Sequence, residues 1–188
     1  MNASNNATNN PSVYDSVWRG LHWVTAFLVI SVLVVIEVKG ELPKGELRRQ
    51  LMSWHKQAGV AVFLLVWVRL WWRHAHRAPV IIPPLSDFMK RLAGLAHLGL
   101  YALMILLPAL GVLFQQARGN EVVFLGWTLP WILNDTSGIH YAKPMKSVHE
   151  WLGNVMIWLV GLHVASAFFH HWIRRDNTLV RMLNARRP

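Results

Sequence analysis

The chain has 188 residues, of which 54% are hydrophobic, with 11 Trp, no Cys and a formal net charge of +10. Without cysteine it cannot form disulfides, Fe–S clusters, thiolate zinc sites or a covalently attached c-type haem. Strong basicity can indicate nucleic-acid binding, but these Lys and Arg residues lie in short loops between apolar stretches. In that position they orient a membrane protein, so no nucleic-acid partner is expected.

Four stretches nearly free of charge approach the ~20 residues that a helix needs to cross a bilayer. The second stretch is the least apolar because Lys56 and Arg69 lie near its ends, where long side chains can reach the headgroups. Pro108 predicts a kink in the third. The sequence thus predicts an all-α membrane protein with spans at about residues 17–38, 53–73, 92–117 and 146–174.

The segments outside these spans differ in composition. Residues 1–16 are polar and rich in Asn, without the charged start and cleavage site of a signal peptide, and are predicted to form a disordered tail. Prolines in residues 74–91 predict an extended linker. Residues 118–145 form the longest loop, with enough apolar residues to lie on the membrane surface. Residues 183–188 are expected to be a basic tail to the 17–182 membrane domain.

Tryptophan is concentrated near the ends of the apolar stretches, as an interfacial belt requires. Trp67 and Trp158 lie deeper, and for them the sequence predicts helix packing or contact with a cofactor.

The distribution of Lys and Arg predicts the orientation. Of the 19 such residues, 11 lie on the side of both termini and the 74–91 linker, and 8 lie on the opposite side. By the positive-inside rule, both termini are expected in the cytoplasm.

Histidines within the spans carry the chemistry, since an ionisable ring at membrane depth is costly unless it is bonded or ligating. His149 and His163 lie fourteen residues apart in the fourth span. Fourteen residues make nearly four helical turns, so both rings share a face, about 21 Å apart along the axis. For any single ring, a hydrogen bond to a backbone carbonyl or a place at the headgroups is the competing interpretation.

Each of these rings has a candidate partner at its own depth. The first span starts on the cytoplasmic side, so His22 matches His163; these two are called the inner pair. The second span starts on the opposite side, so His55 matches His149; these are the outer pair. Bis-His pairs between neighbouring helices are a common way to hold haem. Zinc or copper also binds imidazole, but two His alone would leave such an ion under-coordinated.

The other histidines permit weaker interpretations. His97 opens the third span and can line a haem propionate, a quinone site or the headgroups. His170 and His171 end the fourth span, and one of them is a candidate for hydrogen-bonding a quinone carbonyl, against a simple interfacial role. His74, His76 and His140 lie in loops, and no role is assigned to them.

From about Trp18 to Met182 the chain resembles the bacterial cytochrome b561 family. The resemblance is carried by LHWVTAFLVI, WHKQAGVAVFLLVWVRLWWR, GLAHLGLYALMILLPALGVL and, most specifically, VHEWLGN with GLHVASAFFHHWIRRDNTLVRM. It implies a multi-pass protein of the bacterial inner membrane, a four-helix bundle enclosing two b-type haems. It also implies that the axial ligands are His22, His55, His149 and His163. Leu100 departs from a family pattern in which a second His follows the position of His97.

One branch of the family transfers electrons from superoxide to ubiquinone, and the resemblance implies that activity here. Basic residues on the outer side would attract a small anion; they are Arg48, Arg49, Lys56, Arg118, Lys143 and Lys146. The alternatives are a haem-bearing subunit that takes electrons from a partner oxidoreductase, and a haem-free transporter or structural membrane protein. Membrane lipid and a quinone are expected partners; the sequence does not indicate the oligomeric state.

Overall fold

The computed structural model describes residues 13–133 and 139–183. Its four long helices are each long and apolar enough to cross a membrane, which confirms the predicted all-helical fold with four spans. They are α1 Ser16–Glu41, α2 Glu46–Ala75, α3 Asp87–Gln116 and α4 Ile139–Phe168. A π-helix, Phe169–Ile173, continues α4, and α5 is the short helix Val180–Leu183.

Three of the long helices begin earlier than hydropathy predicted. The bilayer-crossing stretch is only part of each helix, and the polar flanks add turns of their own. The first turn of α2 is held by Arg49 bonded to Glu46. Ser86 caps α3 by accepting from the Met89 N–H at 3.4 Å. Pro144 lies inside α4, in its second turn, where it removes one backbone donor from the helix.

The closely packed helix pairs are α1 with α2, α2 with α3, and α3 with α4. The central cluster is small and aliphatic, around Val66 and Met104, and most of the outer surface is apolar. Trp158 is 80% exposed and lies on the face of α4 opposite His149. Trp67 is 51% exposed. Trp158 therefore does not pack between the helices of this chain, which contradicts that part of the prediction; contact with a cofactor stays a prediction.

Residues 174–183 close one end of the bundle, called here the terminal end because both described termini lie there. The backbone N–H of Tyr14 donates to the Arg181 carbonyl at 3.3 Å, and the Trp23 indole donates to the Met182 carbonyl at 3.1 Å. Asn177 accepts from the Ile82 N–H at 2.9 Å, and the Arg181 guanidinium donates to the Pro79 carbonyl. The last described residues therefore bind both the α2–α3 linker and the chain start.

Part of the predicted N-terminal tail is consequently ordered by contacts. Asp15 caps α1 by accepting from the Trp18 N–H at 2.8 Å and accepts from the Trp72 indole at 3.2 Å. The remainder of that prediction, residues 1–12, and the basic residues 184–188 lie outside the described residues.

A β-hairpin marks the opposite end, called the hairpin end. Val123–Phe124 (β1) pairs antiparallel with Trp127–Thr128 (β2) across a two-residue turn. Leu125 and Gly126 both have positive φ, 50° and 86°, as a type I′ hairpin turn requires. The Gln57 side chain of α2 accepts from the Leu125 N–H at 3.1 Å, which fixes the hairpin over the helix ends.

Candidate functional site

The outer pair lies between α2 and α4, with ring centroids 6.3 Å apart. The Nδ1 atom of His55 donates to the Val32 carbonyl at 3.3 Å, and Nδ1 of His149 donates to the Leu107 carbonyl at 2.9 Å. A carbonyl oxygen can only accept, so both Nδ1 atoms carry the proton and both Nε2 atoms keep a lone pair. This is the tautomer in which a histidine binds a metal through Nε2 while the backbone fixes its ring.

The α3 helix shapes the outer pair from the side. A Cβ atom at Gly111 would lie 3.4 Å from Cε1 of His149, so this ring lies next to Gly111. Since Leu107 and Gly111 are one turn apart, the same turn of α3 both supplies the carbonyl acceptor and adjoins the ring.

The inner pair lies between α1 and α4, also with ring centroids 6.3 Å apart. A third ring, His97 of α3, lies 5.4 Å from His163 and donates from Nδ1 to the Ala93 carbonyl at 2.7 Å. The inner pair thus differs from the outer one in having a third histidine beside it.

The inner site also contains a residue whose role hydropathy did not indicate. The Arg69 guanidinium points into the bundle rather than toward the headgroups. It donates to Nδ1 of His22 at 3.1 Å and lies 5.5 Å from the centroid of the Tyr101 ring. A signal was present in the sequence, because Arg69 follows His55 by the same fourteen residues that separate His149 and His163. It therefore shares the face of α2 with His55, at the inner depth.

The geometry of both pairs fits a haem iron. Two metal–nitrogen bonds of about 2 Å, plus roughly 1 Å from each nitrogen to its ring centre, require centroids about 6 Å apart. Within residues 13–133 and 139–183, no group of three or more His, Cys, Asp or Glu side chains is placed to hold a metal ion. Two imidazoles alone would under-coordinate zinc or copper, whereas a porphyrin supplies four further nitrogens.

Two glycines follow the rings of the outer pair by one turn. Gly59 comes four residues after His55 and Gly153 four residues after His149, and a Cβ atom added to either would meet no atom within 4 Å. Neither glycine is therefore in close contact with a neighbouring helix.

A basic cavity of about 580 Å³ opens at the hairpin end beside the start of α2. Its cationic lining residues are Lys39, Lys44, Arg48, Arg49 and Lys56, with Glu121 as a carboxylate. Of the six outer cations that the sequence singled out, the cavity brings together Arg48, Arg49 and Lys56 but not Arg118, Lys143 or Lys146. Lys146 instead pairs with Glu150, because the two are one turn apart in α4.

The candidate quinone ligands differ sharply from each other. His170 is only 7% exposed, and its Nδ1 is bonded to the Asp176 carboxylate at 2.6 Å. Burial raises the pKa of Asp176, but hydrogen bonds from His170 and Thr178 outweigh it and hold that pKa below its ordinary value. His171 is half-buried and lies beside the exposed ring of Trp172. One nitrogen of His170 is therefore already bonded within the protein, whereas His171 is partly accessible; a quinone contact at either residue stays a prediction.

The flanking arginines are likewise distinct. Arg174 donates to Asp176 at 3.3 Å and to the sulfur of Met89 at 3.2 Å, so it helps to fix the end of α4. Arg175 is exposed, with a positive φ of 56°.

Comparison with known proteins adds an independent line of evidence. Residues 13–185 match the family model described as prokaryotic cytochrome b561. The chain is 34% identical over 168 residues to "Cytochrome b561 homolog 1" of Escherichia coli (strain K12), covering 89% of this chain and 94% of that protein. It is 30% identical over 174 residues to "Probable superoxide oxidase CybB" of Yersinia pestis, covering 93% and 97%. It is 28% identical over 178 residues to "Cytochrome b561 homolog 2" of Escherichia coli (strain K12), covering 94% of each.

Proposed function

We propose that this chain, which belongs to the prokaryotic cytochrome b561 family, oxidises superoxide at the hairpin end and reduces ubiquinone near the terminal end. Membership of the family implies b-type haem and electron transfer in a membrane. The superoxide and quinone specificities, two haems per chain and cytoplasmic termini in the bacterial inner membrane are our proposal.

The observation that carries the proposal is the basic cavity beside the outer pair. Five cationic side chains and one carboxylate line it, so the cavity attracts small anions and raises their local concentration. Met52, a lining residue, lies one turn before His55 on the same face of α2, so an anion in the cavity is near the outer pair. Superoxide is a small anion that crosses the bilayer poorly, and a relative of 30% identity is named a probable superoxide oxidase.

We assign His55 and His149 as the residues that would hold the outer haem and His22 and His163 as those that would hold the inner haem, each through Nε2. The haems would supply one-electron relay between the two ends of the bundle. The protein itself holds the two outer rings in place through the Val32 and Leu107 carbonyls. In the overall reaction, two superoxide anions each lose one electron to become dioxygen, and one ubiquinone takes up two electrons and two protons.

At the terminal end we place the quinone beside His171, with Arg175 available to stabilise the negative charge of a reduced headgroup. His170 acts on this site indirectly: its bond to Asp176 fixes the π-helix on which His171 lies. His171 therefore provides the quinone hydrogen bond, and His170 is a positioning residue.

The decisive experiment is stopped-flow mixing of the purified oxidised protein with superoxide while the haem absorbance is followed. We expect superoxide to reduce the haem on the stopped-flow time scale. The rate of haem reduction should fall as the salt concentration rises, because exposed charges are screened beyond about 10 Å at 0.1 M salt. Haem reduction that proceeds at the same rate at every ionic strength would contradict the role of the cavity.

The quinone assignment has its own test. His171→Ala should slow ubiquinone reduction while haem reduction by superoxide survives. His74→Ala, which changes an exposed histidine in the last turn of α2, is the matched control and should change neither rate. Equal quinone reduction by wild type and His171→Ala would place the quinone elsewhere.

A second candidate function is an electron-transfer subunit for a partner oxidoreductase. It is favoured by the hairpin, where Leu125 and Trp127 are 75% and 81% exposed and present an apolar surface suited to a protein partner. Absence of any reduction by superoxide, together with rapid reduction by a partner protein, would establish this alternative. Purified protein that remains colourless despite ample haem supply would instead indicate the haem-free class.

A further inference from the structure

Arg69 is a cation in the interior of the bundle. It lies within α2, and its guanidinium contacts Nδ1 of His22 and the face of Tyr101 rather than solvent or headgroups. Arg73, one turn further along α2, lies 5.7 Å from the centroid of the same Tyr101 ring. Two positive charges therefore converge on one aromatic ring at the inner depth.

These charges lack a compensating anion within the described ranges 13–133 and 139–183. None of the ion pairs formed there includes Arg69 or Arg73. The contacts that Arg69 does make are to an imidazole nitrogen and an aromatic face, which are neutral groups. A permanently charged guanidinium inside a membrane protein is costly without a paired anion, so the site favours an anionic ligand.

The position of Arg69 indicates which anion it would bind. It lies on the face of α2 that carries His55, at the depth of His22 and His163, and it is already within hydrogen-bond distance of His22. A b-type haem carries two carboxylates, its propionates, and a guanidinium binds a carboxylate through two parallel hydrogen bonds. We propose that Arg69 binds a propionate of the haem held by His22 and His163, with Arg73 and Tyr101 lining the same anion site. This inference rests on the haem assignment of the proposed function.

The tautomer of His22 adds a second argument. A guanidinium only donates, so in the structure Nδ1 of His22 accepts and the ring proton is on Nε2. A neutral imidazole that binds iron through Nε2 carries its proton on Nδ1, where it would face the Arg69 donor. Haem binding therefore requires the guanidinium to leave His22, and a propionate offers it a charged acceptor.

A thermodynamic cycle between the side chain and the propionates tests the proposal. The full-length chain is produced in haem-deficient cells supplied with either protohaem or its dimethyl ester, whose propionates are uncharged. The rate of haem loss from the inner site to apomyoglobin is then measured for wild type, Arg69→Gln and Arg77→Gln. Arg77→Gln removes an exposed cation just past the end of α2 and serves as the matched control.

In wild type and in Arg77→Gln, we expect the ester to leave the inner site at least tenfold faster than protohaem. In Arg69→Gln, protohaem should be lost about as fast as the ester, and esterification should make little further difference. The inner-haem reduction equilibrium should also shift about tenfold toward the oxidised form in Arg69→Gln, which is about 59 mV for one electron, because a positive charge that favours the reduced haem is removed. Retention of the outer haem in the same sample shows that the variant is folded.

Additive effects of Arg69→Gln and esterification would overturn the proposal, as would unchanged loss of protohaem from Arg69→Gln. If Arg69→Gln does not accumulate, Arg69→Lys replaces it in the cycle. A lysine ammonium cannot form the two parallel hydrogen bonds of a guanidinium, so the rates of loss of protohaem and its ester should differ less than in wild type. A difference equal to that of wild type would overturn the proposal. Because the assay does not use superoxide, it distinguishes a failure of the proposed function from a failure of the Arg69 assignment. A wild-type chain without haem contradicts the proposed function itself, whereas two haems with an additive cycle contradict only the role of Arg69.

Discussion

Replacing Lys39 and Lys44 together by glutamine should slow haem reduction by superoxide about fourfold at 0.1 M salt. Both residues line the basic cavity, and neither side chain forms an ion pair within the part of the chain that the structure describes. The change removes charge from the cavity without altering either histidine pair.

The magnitude follows from the size of the cavity. A volume of about 580 Å³ equals a sphere of about 5 Å radius, so charges on the wall lie roughly 6 Å from an anion at its centre, and in water each contributes about 0.7 kcal/mol. A Debye length of about 10 Å at 0.1 M salt reduces this to about 0.4 kcal/mol. Since 1.4 kcal/mol is tenfold, each charge changes the encounter rate about twofold, and two change it about fourfold.

The assay is stopped-flow haem reduction over a series of salt concentrations. Arg77→Gln with Arg91→Gln removes the same net charge from the terminal end and should leave the rate unchanged. At 1 M salt, where the Debye length is about 3 Å, the difference between wild type and the Lys39/Lys44 variant should fall below about 1.5-fold. A fourfold deficit that persists at 1 M salt, or an equal deficit in the control, would refute electrostatic attraction by the cavity.

Three further predictions concern the haems and the terminal end. A pyridine haemochrome assay should find two protohaems per chain, extractable with acidic solvent because no cysteine tethers them; one or none would defeat the architecture. Loss of His55 or His149 should remove one spectral component and loss of His22 or His163 the other, so the pairing is wrong if His22→Ala and His55→Ala abolish the same component. The pKa of Asp176 lies below its ordinary value in the folded protein, so the ionised carboxylate stabilises the fold above about pH 4, and this stabilisation is lost as pH falls through the lowered pKa. Asp176→Asn should therefore reduce the free energy of unfolding by about 2 kcal/mol at neutral pH, and the melting temperature of the variant should fall less steeply at acid pH than that of wild type. An equally steep fall in both proteins would show that another carboxylate causes it.

The four spans were predictable from the length of the uncharged stretches. The pairing of the histidines was predictable because it depends on helical periodicity and on the direction in which each helix crosses the membrane. Those two facts place His22 opposite His163 and His55 opposite His149, and the structure brings the same rings to 6.3 Å. The same periodicity also places Arg69 at the inner depth, but hydropathy alone assigns a charged residue near a helix end to the headgroups.

Other features depend on non-helical backbone and were not predictable from periodicity. The bond between His170 and Asp176 needs the π-helix and the positive φ of Arg175, neither of which has a distinct signal in the sequence. The basic cavity brings Lys39, in the last turn of α1, and Lys44, in the short α1–α2 connection, to the start of α2. The hairpin of residues 123–128 is too short for a periodic signal, and its turn uses Leu125 at a positive φ that favours glycine.

The closure of the terminal end has a consequence for biogenesis. Arg181 and Met182 bind Tyr14, Pro79 and Trp23, so the segment that fastens the first helix to the α2–α3 linker follows all four spans in the chain. These bonds can therefore form only after α4 has been synthesised, and the terminal end stays unfastened while α1–α3 insert into the membrane.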